Sequence, residues 1–179
     1  MKRYVAFLRG MNLGKRRIKN PELCAAFAKL GFEDVSAFLA SGNVMFRTST
    51  KSRAKLEAAI AGGLQSSLNY EVPTFVRDAS EVIAIANATP FSDRELATSA
   101  GKIQVAILAK PPPAPARKAV LAEATDEDRL VVDGCELYWL PQAGLSTSAL
   151  DMKVVAKALG PMTVRTQRTL IRLQTKLDG

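Results

Sequence analysis

The sequence predicts an α+β protein made of two ferredoxin-like halves, in which antiparallel sheets carry helices on one face, followed by an extra C-terminal helix. The first 78 residues give the element order β-α-β-β-α-β, which is the split βαβ unit. A similar order begins again after residue 101, and the length of 179 residues suits one large domain or two small ones sharing a core. We therefore expect a first half at 1–78, a connector at 79–101, and a second half with the C-terminal helix at 102–179.

Apolar periodicity and the residues that start and stop helices define the first half. Residues 4–8 form an apolar run typical of a buried strand. A helix over 21–30 follows an Asn-Pro-Glu start and ends before Gly31, a typical stop residue. The remaining predicted elements are a strand at 35–40, a strand at 43–48 after a tight Ser-Gly turn, a helix at 51–67 and a strand at 72–77.

The second half is predicted with less regularity. A connecting helix at 80–87 is expected to be capped by Ser80, and 91–101 is expected to be a loop. The further elements are a strand at 103–107, a helix at 114–124, a hairpin of 130–132 with 136–140, a helix opened by a Ser148-x-x-Asp151 capping box, and a last helix carrying Leu170, Leu173 and Leu177. The pattern shows no clear fourth strand in this half.

Composition limits the classes of protein and site. The chain has no histidine, which removes the usual acid/base at neutral pH and the commonest metal ligand, so we expect no metal site. The two cysteines, Cys24 and Cys135, form no CxxC pattern, and reduced thiols are the expectation. No apolar run is long enough to span a membrane, and the opening residues lack the apolar stretch of a signal peptide. We expect a cytoplasmic protein that does not bind membranes; its oligomeric state is left open.

Positive charge is concentrated in two segments. The net charge is +8, and residues 1–19 hold seven Lys/Arg without an acid, whereas residues 153–176 hold six without an acid. If the two segments converge, they favour an anionic partner; otherwise they are a solvated basic exterior. Phosphate-backbone binding of nucleic acid is therefore one alternative. Aromatic residues are only 6% of the chain, which argues against a base-stacking surface.

The loop at residues 9–19 is the leading candidate for a binding site. It joins a strand to a capped helix and contains Gly10 and Gly14, an arrangement that often binds phosphate. Its spacing matches neither the Walker A pattern nor GxGxxG, so no cofactor is expected. In the ferredoxin-like strand order 4-1-3-2, the end of strand one lies beside the start of strand three. The loop should then meet the Ser41-Gly42-Asn43 turn. The residues expected to supply cations, amides and a hydroxyl there are Arg9, Asn12, Lys15, Lys19, Ser41 and Asn43.

A purely structural interpretation of these residues stays open. The glycines can simply permit a sharp exit from the strand. Asn12 and Asn43 can hydrogen-bond loop backbone, and Ser41 can shape the turn. Ser41 has no evident base, and the acidic run Asp126-Glu127-Asp128 is interpreted as a solvated turn rather than a metal site. Whether the protein is an enzyme is not decided by the sequence.

The chain also resembles a known family. Residues 5–14 (VAFLRGMNLG) resemble the opening signature of the domain-of-unknown-function family 1697, and residues 40–46 (ASGNVMF) resemble its second signature. The resemblance implies paired ferredoxin-like halves and no established biochemical role. It also implies a weaker family position at Thr163-Val164-Arg165, so Arg165 joins the candidate ligand-binding residues. The family usually continues with Asn-Trp there, whereas this chain has Thr166-Gln167.

These observations lead to three hypotheses. The first is binding of a small anionic or phosphorylated ligand between the loop at 9–19 and the turn at 41–43. The second is sequence-independent nucleic-acid binding through the basic segments. The third is a structural protein that binds no ligand.

Overall fold

The computed structural model of the protein describes residues 1–11, 18–39 and 42–177. The chain forms two compact units. The first comprises Met1–Val82 together with the chain from Leu173 onward, and the second comprises Ile83–Arg172. Each unit contains one four-stranded antiparallel sheet, so the α+β class with paired ferredoxin-like halves is confirmed.

The first unit has the predicted split βαβ topology. Its elements are β1 (Lys2–Leu8), α1 (Asn20–Lys29), β2 (Glu33–Phe38), β3 (Asn43–Thr48), α2 (Arg53–Leu68) and β4 (Thr74–Asp78). The strands lie in the order β2-β3-β1-β4. In this order β1 is central, with Phe7 opposite Asn43 on β3 and Leu8 opposite Thr74 on β4. The end of β1 therefore lies between the beginnings of two other strands.

The core of the first unit lies between its sheet and its two helices. Tyr4, Ala6 and Leu8 alternate along β1 and pack in one cluster with Phe27 of α1 and Ile60 of α2. This follows from the two-residue period of a strand and the 3.6-residue period of a helix, which place like residues on one face. The other face of β1 is buried as well, because Val5 and Phe7 have no exposed surface.

Carboxylates cover two outward N–H groups of the edge strand β4. The Val76 N–H donates to Glu57 Oε1 at 2.9 Å, and the Asp78 N–H donates to Glu81 Oε2 at 2.8 Å. Burial raises the pKa of Glu57, although the Val76 N–H and the Arg77 and Arg53 charges act in the opposite direction. Side-chain acceptors along an edge strand stop it from pairing with another chain.

The second unit repeats the sheet order of the first. After the connecting helix α3 (Ala79–Ala86), the elements are α4 (Asp93–Thr98), β5 (Gln104–Leu108), α5 (Ala114–Leu121), β6 (Asp128–Asp133), β7 (Glu136–Pro141), α6 (Met152–Leu159), β8 (Met162–Thr166) and α7 (Gln167–Leu177). The end of α7, from Leu173, is counted with the first unit. The strands lie in the order β6-β7-β5-β8. Leu108, Val120, Trp139, Val155 and Leu159 are buried in one core cluster.

Two elements of the second half differ from expectation. The fourth strand exists as β8, which pairs with β5 through Val105 and Arg165. Its five residues include two threonines and an arginine, so its sequence is too polar to predict a strand. The segment is a strand because it pairs with β5. The expected loop at 91–101 contains the short helix α4, which has a capping box between Ser92 and Glu95.

Three helix caps also differ from expectation. Lys19, not Asn20, is the N-cap residue of α1. Asp78, not Ser80, caps α3: its Oδ1 accepts from the Glu81 N–H at 3.0 Å and from Ser80 Oγ at 2.6 Å. Asp151 caps α6 by accepting from the Lys153 N–H at 2.8 Å, so the helix begins at Met152. Ser148 instead donates to a buried carboxylate described below. At α3 and at α6 the N-cap residue is therefore an aspartate, although a nearby serine could also have capped the helix.

Candidate functional site

The end of β1 and the turn before β3 lie side by side. The Leu8 N–H donates to the Gly42 carbonyl oxygen at 2.7 Å. Gly42 has a φ of +73°, and a Cβ added there would lie 3.0 Å from both Leu8 Cβ and Met11 Cγ. Glycine is therefore required at this position both for the left-handed backbone and for the close approach of the two segments.

Arg9 is an exposed cation at this end of the sheet. Its N–H donates to the Pro73 carbonyl oxygen at 2.9 Å, which ties the end of β1 to the start of β4. Its side chain is exposed and makes no ion pair with any described residue. An open cleft of about 590 Å³ adjoins it; this Arg9 cleft is lined by Arg9, Gly10, Gln65, Asn69, Tyr70, Glu71 and Pro73.

Asn43 has a structural position rather than an open one. It has no exposed surface, and its Nδ2 donates to the Phe38 carbonyl oxygen at 3.1 Å across the β2–β3 turn. An amide buried in this way stabilises the turn and is not accessible from solvent. The contacts of Asn43 therefore agree with the interpretation in which it hydrogen-bonds loop backbone rather than a ligand.

Lys19 lies at the start of α1 and is exposed. Its backbone N–H donates to Glu22 Oε2 at 3.2 Å. The Glu22 carboxylate thus occupies the helix N-terminus, where an anion would otherwise be favoured. Asn12, Lys15 and Ser41 lie outside the described residues, so their part in a site remains a prediction.

Arg165 belongs to β8 in the second unit, whereas the other candidate residues belong to the first. Its Nη1 donates to Thr163 Oγ1 at 2.9 Å and to the Val164 carbonyl oxygen at 2.8 Å. Burial lowers the pKa of its guanidinium to about 10. These local contacts satisfy part of its hydrogen-bonding capacity within its own strand.

One polar group in the second unit was misinterpreted from the sequence. Asp128 is not part of a solvated turn: only 1% of it is exposed. Its Oδ1 accepts from Trp139 Nε1 and from Ser148 Oγ, both at 2.7 Å. The signal was present, because Asp128, Leu130 and Val132 alternate along β6 and share its buried face. Asp128 therefore connects β7 to the segment that follows it.

A second open cleft, of about 650 Å³, lies in the second unit. Its lining carries Arg94 and Arg129 together with three carboxylates, those of Glu95, Asp126 and Glu127. Arg129 Nη2 already contacts Asp126 Oδ1 at 3.0 Å. Because acids outnumber cations, this cleft is less suited to an anion than the Arg9 cleft.

Two absences hold for residues 1–11, 18–39 and 42–177. No cluster of three or more Cys, Asp or Glu side chains is arranged to hold a metal ion. No helix there has both the length and the apolarity needed to cross a membrane.

The fold and the two adjoining strand ends define an α+β protein with paired ferredoxin-like units and an exposed cation at the end of the first sheet. The chain belongs to the family described as "Protein of unknown function (DUF1697)", whose model matches residues 1–138. The match confirms the predicted family. It includes Arg9 and the turn before β3, and it ends before Arg165.

A solved structure supports the same fold. The chain is similar to a conserved bacterial protein from Streptococcus pneumoniae, with a TM-score of 0.79 and 18% sequence identity. The likeness covers 100% of this chain and 99% of that one. At this identity it shows the fold alone. No curated protein matches the chain.

Proposed function

We propose that the protein binds a small ligand bearing an anionic group in the Arg9 cleft. One observation supports this most directly: Arg9 is an exposed guanidinium at a cleft of about 590 Å³, and its side chain makes no ion pair with a described residue. A guanidinium presents a rigid fork of donors that matches a carboxylate or a phosphate.

The other walls of the cleft narrow the ligand class. Gln65 and Asn69 supply amides, and Tyr70 supplies a phenol. Glu71 adds a carboxylate, and the C-terminal end of α2 at Asn69 adds the negative end of a helix dipole. A simple anion would be repelled by that wall. The cleft therefore favours a ligand whose anionic group contacts Arg9 while hydroxyl or amino donors face Glu71, such as a sugar phosphate or a hydroxy or amino acid.

The loop after Met11 extends this proposal. Asn12 and Lys15 follow Arg9 by three and six residues, and Ser41 immediately precedes Gly42, which contacts Leu8 and Met11. A further cation and two neutral polar groups are thus connected to the same strand end by short lengths of chain. We expect them to contribute to ligand binding.

The test is a thermal-shift screen against inorganic phosphate, sugar phosphates, nucleotides, and hydroxy and amino acids. A ligand present at 100 times its Kd stabilises the protein by about 2.7 kcal/mol. For a chain of this size that corresponds to a rise in Tm of roughly 5–10 °C. Arg9→Ala should abolish the rise, whereas Arg168→Ala, which removes an exposed arginine of α7, should leave it intact.

A second variant tests the contact with Glu71 separately from the contact with Arg9. Glu71→Gln should weaken binding of ligands that carry donors while leaving inorganic phosphate binding unchanged or stronger. The proposal would be wrong if no compound in the screen stabilises the protein. It would also be wrong if Arg9→Ala and Arg168→Ala reduce the shift equally, because the effect would then come from net charge.

A further inference from the structure

The outer face of α5 and α6 carries only positive charge. The two helices contain Arg117, Lys118, Lys153 and Lys157 and no Asp or Glu within their bounds. All four side chains are exposed, and none makes an ion pair with a described residue. We call these four residues the basic helix face.

The placement of the buried residues explains why these cations face outward. Val120 of α5 and Val155 and Leu159 of α6 are buried in the core of the second unit. An α-helix turns by about 100° per residue, so Lys153 and Lys157, two residues on either side of Val155, lie roughly opposite it. They are one helical turn apart and adjacent to each other on the surface. The same argument places Lys118 opposite Val120, whereas Arg117, three residues before Val120, lies about 60° from it and is exposed at the side of the helix.

The corresponding helices of the first unit provide a comparison. There α1 and α2 carry Lys29, Arg53 and Lys55 but also Glu22 and Glu57, giving a net charge of +1. The basic helix face has a net charge of +4 on helices of the same topological position. The fold therefore does not require a positive helix layer, and the charge is specific to the second unit.

We propose that the basic helix face binds the phosphate backbone of nucleic acid without reading its base sequence. Backbone binding needs exposed, unneutralised Lys and Arg side chains and little else. Stable protein interfaces are typically built on aromatic or large apolar anchors, and α5 and α6 contain no aromatic residue. Amphipathic helices that insert into a membrane surface carry several bulky apolar side chains on one face, whereas Val154, 44% exposed, is the single large hydrophobic residue exposed on α5 and α6. This binding does not depend on the Arg9 cleft.

The experiment is fluorescence anisotropy of the full chain with a labelled 20-base-pair duplex at 50–200 mM salt. Four phosphate contacts predict a slope of log K against log salt of about −3.6, and hence a roughly 150-fold loss of affinity over that range. The double variant Lys153→Ala/Lys157→Ala should reduce the magnitude of the slope by about 1.8. Lys51→Ala/Lys55→Ala removes the same charge from exposed positions of the first unit and should leave the slope unchanged. Lys118→Glu is an independent variant on α5 and should lower affinity further than neutral substitution of one lysine.

Three outcomes would overturn the proposal. The first is no duplex or single-strand binding at 50 mM salt. The second is an equal loss of slope in the two double variants, which would mean that net charge alone is responsible. The third is that polyglutamate binds as tightly as the duplex with the same dependence on Lys153 and Lys157, which would identify an acidic polypeptide as the partner. Because the substituted lysines are exposed, circular dichroism of each variant should match that of the wild type.

Discussion

Two adjacent glycines in α2 have different surroundings and give a matched pair of substitutions. An added Cβ at Gly62 meets no atom within 4 Å. At Gly63 the same atom would lie 2.6 Å from Leu30 Cδ2 and 2.9 Å from Leu30 Cδ1, at the contact between α1 and α2. The two residues have the same helix propensity, so any difference between Gly62→Ala and Gly63→Ala reports on Leu30.

The expected magnitudes follow from these distances. Replacing glycine by alanine in a helix interior stabilises it by about 0.8–1 kcal/mol, and Gly62→Ala should show that gain in full. At Gly63 the Cβ would approach Leu30 by about 1 Å more than the usual 3.5–4.0 Å carbon contact. Overpacking costs about 1–3 kcal/mol, so Gly63→Ala should lie between no net change and a loss of roughly 2 kcal/mol. The difference between the variants is therefore about 1–3 kcal/mol.

Urea denaturation followed by far-ultraviolet circular dichroism measures this difference directly. The midpoint should rise for Gly62→Ala and stay or fall for Gly63→Ala, with unchanged m-values. The double variant Gly63→Ala/Leu30→Ala removes the overlapping atoms of Leu30. It should therefore be more stable than the sum of the two single changes in free energy predicts. Equal stabilisation by Gly62→Ala and Gly63→Ala would refute the reasoning, because Leu30 would then not confine position 63.

Two further predictions concern carboxylates. Because burial raises the pKa of Glu57 in the folded protein, its contribution to stability is present in full below the unfolded value of about 4.5 and is lost as pH rises through the raised pKa. The free energy of unfolding of the wild type, minus that of Glu57→Gln, should therefore increase as pH falls from 7 towards 4. If urea titrations give a difference that does not change with pH, this prediction is contradicted. Asp128→Ala should destabilise the protein by on the order of 3 kcal/mol, because the buried Trp139 Nε1–H and the partly buried Ser148 hydroxyl lose their acceptor, and should change the fluorescence of Trp139. Asp126→Ala, at a side chain that is 93% exposed, is the control, and an equal loss in both variants would show that the buried contacts are not responsible.

Most of the first unit could be predicted from local patterns. The apolar run of β1, the proline and acid in the first turn of α1, and the apolar face of α2 formed by Leu56, Ile60 and Leu64 each agree with the structure. The order of these elements was sufficient to predict the sheet order β2-β3-β1-β4, because few arrangements of a split βαβ unit are possible. That order in turn predicted that the end of β1 adjoins the turn before β3.

The candidate site was less predictable. Composition and spacing identified Arg9 as a cation at a strand end. They could not show that Arg9 is exposed whereas Asn43 is buried against the backbone of β2. Nor could they show that the cleft beside Arg9 opens towards Glu71 and the end of α2, because those residues are more than fifty positions away in the chain.

Local periodicity and turn residues were thus enough to determine the element order and core faces of the first unit and the family motifs of this chain. Long-range packing alone determined that β8 exists, that Asp128 accepts hydrogen bonds from Trp139 and Ser148, and that the basic residues after Lys153 divide between helix surfaces and the partly buried Arg165. The physical reason is the same in each case. Strand pairing, desolvation and hydrogen bonding depend on residues that are distant in sequence. The residues of a short polar segment therefore do not predict which distant residues it will contact.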